Sequence, residues 1–343
     1  MDFLARELPL SVSRIAVQYL AESRRNKENN MTGNGLISRS AFLGLLATVL
    51  LVACTDSTEQ ATGSEDRVDL KSVRVNDTTL HYIDRGQGSP VVFVHGRFGD
   101  YRTWNGQIDA FSEKYRVISY SRRLQYPNEI PSNAASATEY WHVEDLRALL
   151  QALDIDRFHL VGHSGGGAIS LLFALDYSES LISLTLGEPA VSELLSSTPE
   201  GASLLQDYGE NVSGPSRAAF RAGNEEEGLK LFINGVFGAE NAFDNLTPYF
   251  RDAMLQNAAR SSTIRGAGRR PSFSCDDASS VRVPTLLIHG ELSPQMFVSI
   301  NDTLEQCLPN VERATLPAAS HGLEMENAED FNRIVLEFVG RHE

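Results

Sequence analysis

The sequence predicts an α/β domain with a mostly parallel sheet and an inserted helical cap. Short apolar runs rich in Val, Ile and Leu alternate with amphipathic stretches, the pattern of strands covered by helices. The alternation stops at about 189 and resumes at about 283, and a glycine-flanked serine sits at one strand-to-helix junction. At the start, 71–75 and 79–83 read as paired strands joined by the turn residues Asn76 and Asp77, and 90–95 (PVVFVH) reads as a buried strand. A strand at 116–120, a helix over 139–153, a strand at 158–162, a helix over 166–177 and a strand at 181–186 follow. After Pro284 come a strand TLLIH, a helix over 296–307, a strand at 311–316 and a closing helix over 328–339. The intervening stretch has helical runs at 215–237 and 247–259 without a strand pattern, so it is read as the cap.

Of the 343 residues, 42% are hydrophobic and 22% charged, which suits a folded body and excludes a disordered or multi-span chain. A formal net charge of -15 with no basic stripe excludes nucleic acid as a partner. The three cysteines, Cys54, Cys275 and Cys307, form no CxxC pair and have no zinc-like spacing to histidine, so no metal is expected; the chemistry expected below calls for no cofactor.

Residues 41–53 form an apolar run of 13 residues preceded by Arg39. It is too short to span a bilayer and suits the apolar core of an export signal. Leu51-Val52-Ala53-Cys54 resembles the lipobox of bacterial lipoproteins, which implies lipidation at Cys54. The expected organisation is an upstream extension and signal over 1–53, with Met1 and Met31 both open as starts. A polar, flexible tether follows over 54–67, then the folded domain over 68–343 with its cap at about 189–283. The expected location is the cell envelope, at a membrane through the lipid anchor alone. In such a compartment Cys275 and Cys307 are open to pairing as a disulfide or to standing as free thiols.

The chemistry begins at Gly162-His163-Ser164-Gly165-Gly166. A serine on a tight strand-to-helix turn presents its hydroxyl outward, and the helix N-terminus behind it favours developing negative charge. Upstream lies His95-Gly96-Arg97-Phe98-Gly99-Asp100, and Ser320-His321-Gly322 follows the last strand. These motifs, in this order over about 68–342, resemble the α/β-hydrolase superfamily. The resemblance implies Ser164 as nucleophile, His321 as base, and an oxyanion hole made by the backbone N–H groups of Arg97 and Gly165. His95, His163 and His289 read as backbone-shaping residues, and the Arg97 side chain as solvated.

The acid departs from the family pattern. Where many members read G-[DE]-x-D, this chain reads Gly290-Glu291-Leu292-Ser293, and a serine hydroxyl cannot stabilise an imidazolium as a carboxylate does. Two carboxylates stand as candidates: Glu188, after the strand that follows the nucleophile helix, where some branches carry their acid, and Glu291. A second departure, at 120–124 (YSRRL), replaces the usual D-x-R-G. The expected function is hydrolysis of a small-molecule carboxylic ester or lactone through an acyl-enzyme. The alternatives are a cofactor-free perhydrolase, a C–C bond hydrolase, or a lipid-anchored binding or sensor protein that retains the fold without turnover.

Overall fold

A computed structural model describes residues 69–131, 139–263 and 273–343. The expectations for the export signal, Cys54 and the tether lie outside the described residues.

The sheet has eight strands: β1 (Lys71–Val75), β2 (Thr78–Arg85), β3 (Pro90–Val94), β4 (Arg116–Tyr120), β5 (Phe158–His163), β6 (Leu181–Gly187), β7 (Thr285–Gly290) and β8 (Val311–Leu316), in the order β1-β2-β4-β3-β5-β6-β7-β8. The β1–β2 and β2–β4 pairs are antiparallel and every other pair is parallel. The β1–β2 turn is two residues, with Val75 facing Thr78 and Asn76 at φ 50°, a left-handed position that asparagine tolerates. β2 runs past its expected end to Arg85, because Tyr82 to Arg85 pair with β4.

The central strands are buried on both faces, as a parallel sheet requires. Val91 and Phe93 of β3 point into one apolar cluster with Ile108 and Phe111 of α1 (Asn105–Ser112) and Phe331, Val335 and Phe338 of α12 (Ala328–Gly340). Val92 and Val94 point into the other, with α2 (Glu139–Ala152), α3 (Gly165–Tyr177) and α10 (Gln295–Cys307). The two-residue period of the strand thus builds both layers of one core.

Between β6 and β7 the chain forms the helices α4 (Pro199–Tyr208), α5 (Gly214–Arg221), α6 (Glu225–Phe237), α7 (Ala242–Asn245), α8 (Pro248–Thr263) and α9 (Cys275–Ser280). The single helical run expected at 215–237 is two helices, broken where Gly223 takes φ +80°. From this insertion Phe220 and Phe232 pack on Phe98 at 5.5 and 5.3 Å between ring centroids. Asn257 of α8 donates to the buried Asp100 at 2.7 Å and accepts from the Tyr126 N–H at 2.8 Å. Arg260 donates to the carbonyls of Leu124 and Asn128. The helical insertion therefore rests on the loops that follow β3 and β4. Cys275 and Cys307 are joined by a disulfide with Cα atoms 5.3 Å apart, tying α9 to α10.

Candidate active site

Ser164 lies between the end of β5 and the start of α3 with φ 52° and ψ -118°, a backbone conformation that costs a non-glycine residue about 1–3 kcal/mol. Close packing enforces the turn. A Cβ on Gly162 would fall 2.4 Å from the Ser170 hydroxyl oxygen, and one on Gly166 would fall 2.0 Å from the Val94 carbonyl oxygen. Glycine alone lets the strand, the turn and the helix approach this closely.

The structure brings Ser164, His321 and Glu188 together. The Ser164 hydroxyl lies 3.0 Å from His321 Nε2, and His321 Nδ1 lies 2.5 Å from Glu188 Oε2. Glu188 is fully buried, and its other oxygen accepts from the Gly290 N–H at 2.9 Å and from the Ser293 hydroxyl. Ser293 thus supports the carboxylate that reaches across from the end of β6. Glu291 is exposed and accepts from the Ala318 N–H at 2.9 Å on the outside of the base loop. It is not brought to His321.

Burial drives Glu188 up, but the hydrogen bond and the charge of His321, with hydrogen bonds from Ser293 and Gly290, together outweigh it and hold the carboxyl below its usual value. Burial lowers His321, against the pull of Glu188. A neutral imidazole beside an ionised carboxylate donates from Nδ1 and leaves Nε2 to accept the serine proton. Phe297 of α10 stacks on the His321 ring at 3.8 Å and 13°. Glu326 accepts from the Ser320 N–H, the Ser320 hydroxyl and the Gly322 N–H, at 2.7, 2.7 and 3.1 Å, and so shapes the loop on both sides of His321.

The loop after β3 faces the serine. A Cβ on Gly96 would lie 3.2 Å from Ser164 Cβ, and one on Gly165 would lie 3.7 Å from the Arg97 nitrogen, so the backbone at Arg97 runs close beside Ser164 and Gly165. The Gly96 carbonyl accepts from the buried Arg122 guanidinium at 2.8 Å and from His95 Nδ1 at 2.9 Å, while the Arg122 N–H donates to His95 Nε2 at 3.0 Å. Burial, and next the Arg122 charge, hold His95 well below the usual histidine value. In a trans peptide the C=O and N–H point opposite ways. Anchoring the Gly96 oxygen therefore directs the Arg97 N–H away from Arg122. The Arg97 side chain is exposed and lies over the Phe98 and Phe232 rings at 4.8 and 5.1 Å.

The sequence reading did not find Arg122, Ser293, Phe297 or Glu326 as site residues. The altered YSRRL loop and the missing aspartate mark the first two; nothing in the sequence separates Phe297 from other core aromatics.

Two cavities flank Ser164. One, of ≈ 30 Å³, is closed by Phe232, Ile233, Val236, Phe237, Met254 and Met325, and the other, of ≈ 50 Å³, by Ala190, Tyr208, Met296, Phe297 and Ile300. Phe237 and Met325 also line a third cavity, of ≈ 410 Å³, with Ala242, Leu246, Phe250 and Leu292. Among the described residues no cluster of His, Cys, Asp and Glu converges as a metal site would.

Comparison with known proteins places the fold in a family. The family model for the alpha/beta hydrolase fold matches residues 89–328, and the chain belongs to that family. It is 28% identical to the 2-hydroxy-6-oxononadienedioate/2-hydroxy-6-oxononatrienedioate hydrolase of Paraburkholderia xenovorans, over 78% of this chain and 94% of that one. It is 29% identical to the non-heme chloroperoxidase CPO-A1 of Kitasatospora aureofaciens, over 76% of this chain and 96% of that one. Among solved structures it is similar in fold to carboxylesterase CesB from Bacillus subtilis, with a TM-score of 0.62 and 20% identity over 79% of this chain and 91% of that one.

Proposed function

We propose that this hydrolase-family chain cleaves carboxylic esters or lactones through an acyl-enzyme on Ser164. The observation that carries the reading is the continuous line from the Ser164 hydroxyl through both nitrogens of His321 to the buried Glu188. His321 Nε2 takes the hydroxyl proton as Ser164 attacks the carbonyl carbon, and the imidazolium is stabilised by Glu188. The carbonyl oxygen becomes an oxyanion held by the Arg97 and Gly165 N–H groups, each such donor contributing about 2.7–4 kcal/mol. His321 then protonates the leaving alkoxide. Water, deprotonated by His321, attacks the acyl-enzyme, and the serine leaves with the proton returned.

The small, mainly apolar cavities beside Ser164 support neutral acyl and alcohol groups of a few carbons. Cleavage of a carbon–carbon bond beside a carbonyl is the second reading, favoured by the relatives that carry that activity in their names. Perhydrolysis would use the same three residues with peroxide in place of water. A purely binding role is disfavoured, because a binder needs neither the tautomer that Glu188 imposes nor the strained serine.

For location, we propose an exported body held to a membrane by lipid on Cys54. The disulfide between Cys275 and Cys307 supports this, since such bonds persist in oxidising compartments.

A panel of p-nitrophenyl esters of graded chain length, lactones and vinylogous diketones, assayed with wild type and Ser164→Ala, tests the reading. Ester or lactone turnover lost in Ser164→Ala is the expected result. Cleavage of the diketones alone would move the assignment to the second reading, and no turnover of any member would remove the hydrolytic one.

A further inference from the structure

Beside the Ser164, His321 and Glu188 line lies a second buried histidine and carboxylate that the proposed mechanism does not use. His163, the last residue of β5, has Nε2 2.8 Å from the His321 carbonyl oxygen and Nδ1 3.1 Å from Glu324 Oε1. The Glu324 side chain is fully buried and that of His163 nearly so. Glu324 sits on α11 (Leu323–Glu326), the turn directly after the base, and its carbonyl accepts from Gln107 of α1 at 3.1 Å. The His163 and His321 rings are 4.8 Å apart between centroids.

We propose that His163 is a positioning residue for His321, clamping the base loop through the His321 carbonyl and holding a positive charge, balanced by Glu324, against the base. This rests on the reading of Ser164 as nucleophile and His321 as its base.

Tautomer chemistry supports the charge. The His321 carbonyl is an acceptor and so places a proton on His163 Nε2, while the Glu324 carboxylate, whose oxygens have no hydrogen-bond partner among the described residues, stands at ion-pair distance from Nδ1. A neutral ring supplies one N–H and the imidazolium supplies two. Burial disfavours the imidazolium most, but the Glu324 carboxylate, Glu188 and the His321 carbonyl together outweigh it and raise His163 above its ordinary value. In turn, the ion pair with His163 is the only one the Glu324 carboxylate makes among the described residues. An unpaired carboxylate at that depth would be strongly destabilising.

The charges facing His321 are Glu188 from the end of β6, His163 from β5 and Glu324 from α11, with Arg97 at the mouth of the shared cavity. Those facing His163 are Glu324 and Glu188. Glu188 favours a protonated His321. The His163 cation opposes it more strongly than Glu324 assists it. His163 therefore keeps His321 neutral, and able to accept the serine proton, further into acid than Glu188 alone would allow. A packing residue would do neither.

The test uses the full chain and Glu324→Gln, which keeps side-chain size and polarity and removes the balancing charge. One measurement is a pH titration of 13C-labelled histidines by NMR. The other is the rate of labelling by a fluorophosphonate probe at pH 6 and pH 8.5. The expected result has two parts: one histidine resonance stays in its imidazolium position above the range of ordinary histidines in wild type but not in the variant, and the pH 6 to pH 8.5 labelling ratio falls at least about threefold in the variant. A variant whose histidine titrations or labelling ratio match wild type overturns the proposal while leaving Ser164 as nucleophile. A folded wild-type protein that never labels removes the nucleophile reading, and the role of His163 with it.

Discussion

Replacing Glu188 by glutamine probes the relocated acid with almost no change in shape. Both carboxylate oxygens are committed, one to His321 Nδ1 at 2.5 Å and the other to the Gly290 N–H and the Ser293 hydroxyl. Glutamine has one acceptor oxygen and one amide. If the oxygen stays with Gly290, the amide faces Nδ1, the proton moves to Nε2, and His321 can no longer accept from Ser164. If the oxygen faces His321, the amide meets the Gly290 N–H, and a buried donor is left without an acceptor. In either arrangement the imidazolium loses its counter-charge. The expected loss is about 10³- to 10⁴-fold in kcat, or ~4–5.5 kcal/mol of transition-state stabilisation. The assay is turnover of a short p-nitrophenyl ester, with the fold checked by circular dichroism. A folded Glu188→Gln protein that keeps more than about a tenth of wild-type kcat would refute the assignment of the acid.

Three further outcomes follow from the same geometry. Because burial lowers His321, kcat/KM should rise with pH through a midpoint below the ordinary histidine value of 6.5, since the base works only when neutral; a pH–rate profile with its acid limb above that value would contradict this. Arg122→Met removes a charged donor from the Gly96 carbonyl and should lower kcat about ten- to a hundredfold with KM little changed, as expected when a group aimed at the transition state is misdirected; Arg122→Lys should recover part of the loss in the same assay. The disulfide closes a loop with a sequence separation of 32, so the Cys275→Ser, Cys307→Ser double variant should lose about 3–4 kcal/mol of stability. Calorimetry should show a clearly lower Tm for that variant and for the reduced wild type.

The sheet was legible because strand and helix periods differ, and because central parallel strands are apolar without interruption. Ser164 and His321 were legible for a local reason: glycines at fixed positions around the serine, and a histidine directly after the last strand. Which carboxylate meets His321 was harder to read. Glu188 and Glu291 each directly follow a strand at the same edge of the sheet, and sequence alone does not tell which one points inward. Burial and the reach to Gly290 and Ser293 distinguish them. Arg122 escaped notice because a buried guanidinium bonded to a carbonyl 26 residues away leaves no periodic trace. His163 was read as backbone-shaping, and its ion pair depends on Glu324 turning inward from a four-residue helix. The break between α5 and α6 is a case where one glycine at positive φ overrides a continuous helical pattern.

The central claim is that Ser164 is a nucleophile activated by His321 and Glu188. The most direct measurement is the intact mass of the full chain after exposure to a fluorophosphonate, followed by peptide mapping. The account predicts one adduct per chain, located on Ser164, absent in Ser164→Ala and formed far more slowly in His321→Ala. An unmodified wild-type protein, or an adduct on any other residue, would contradict it.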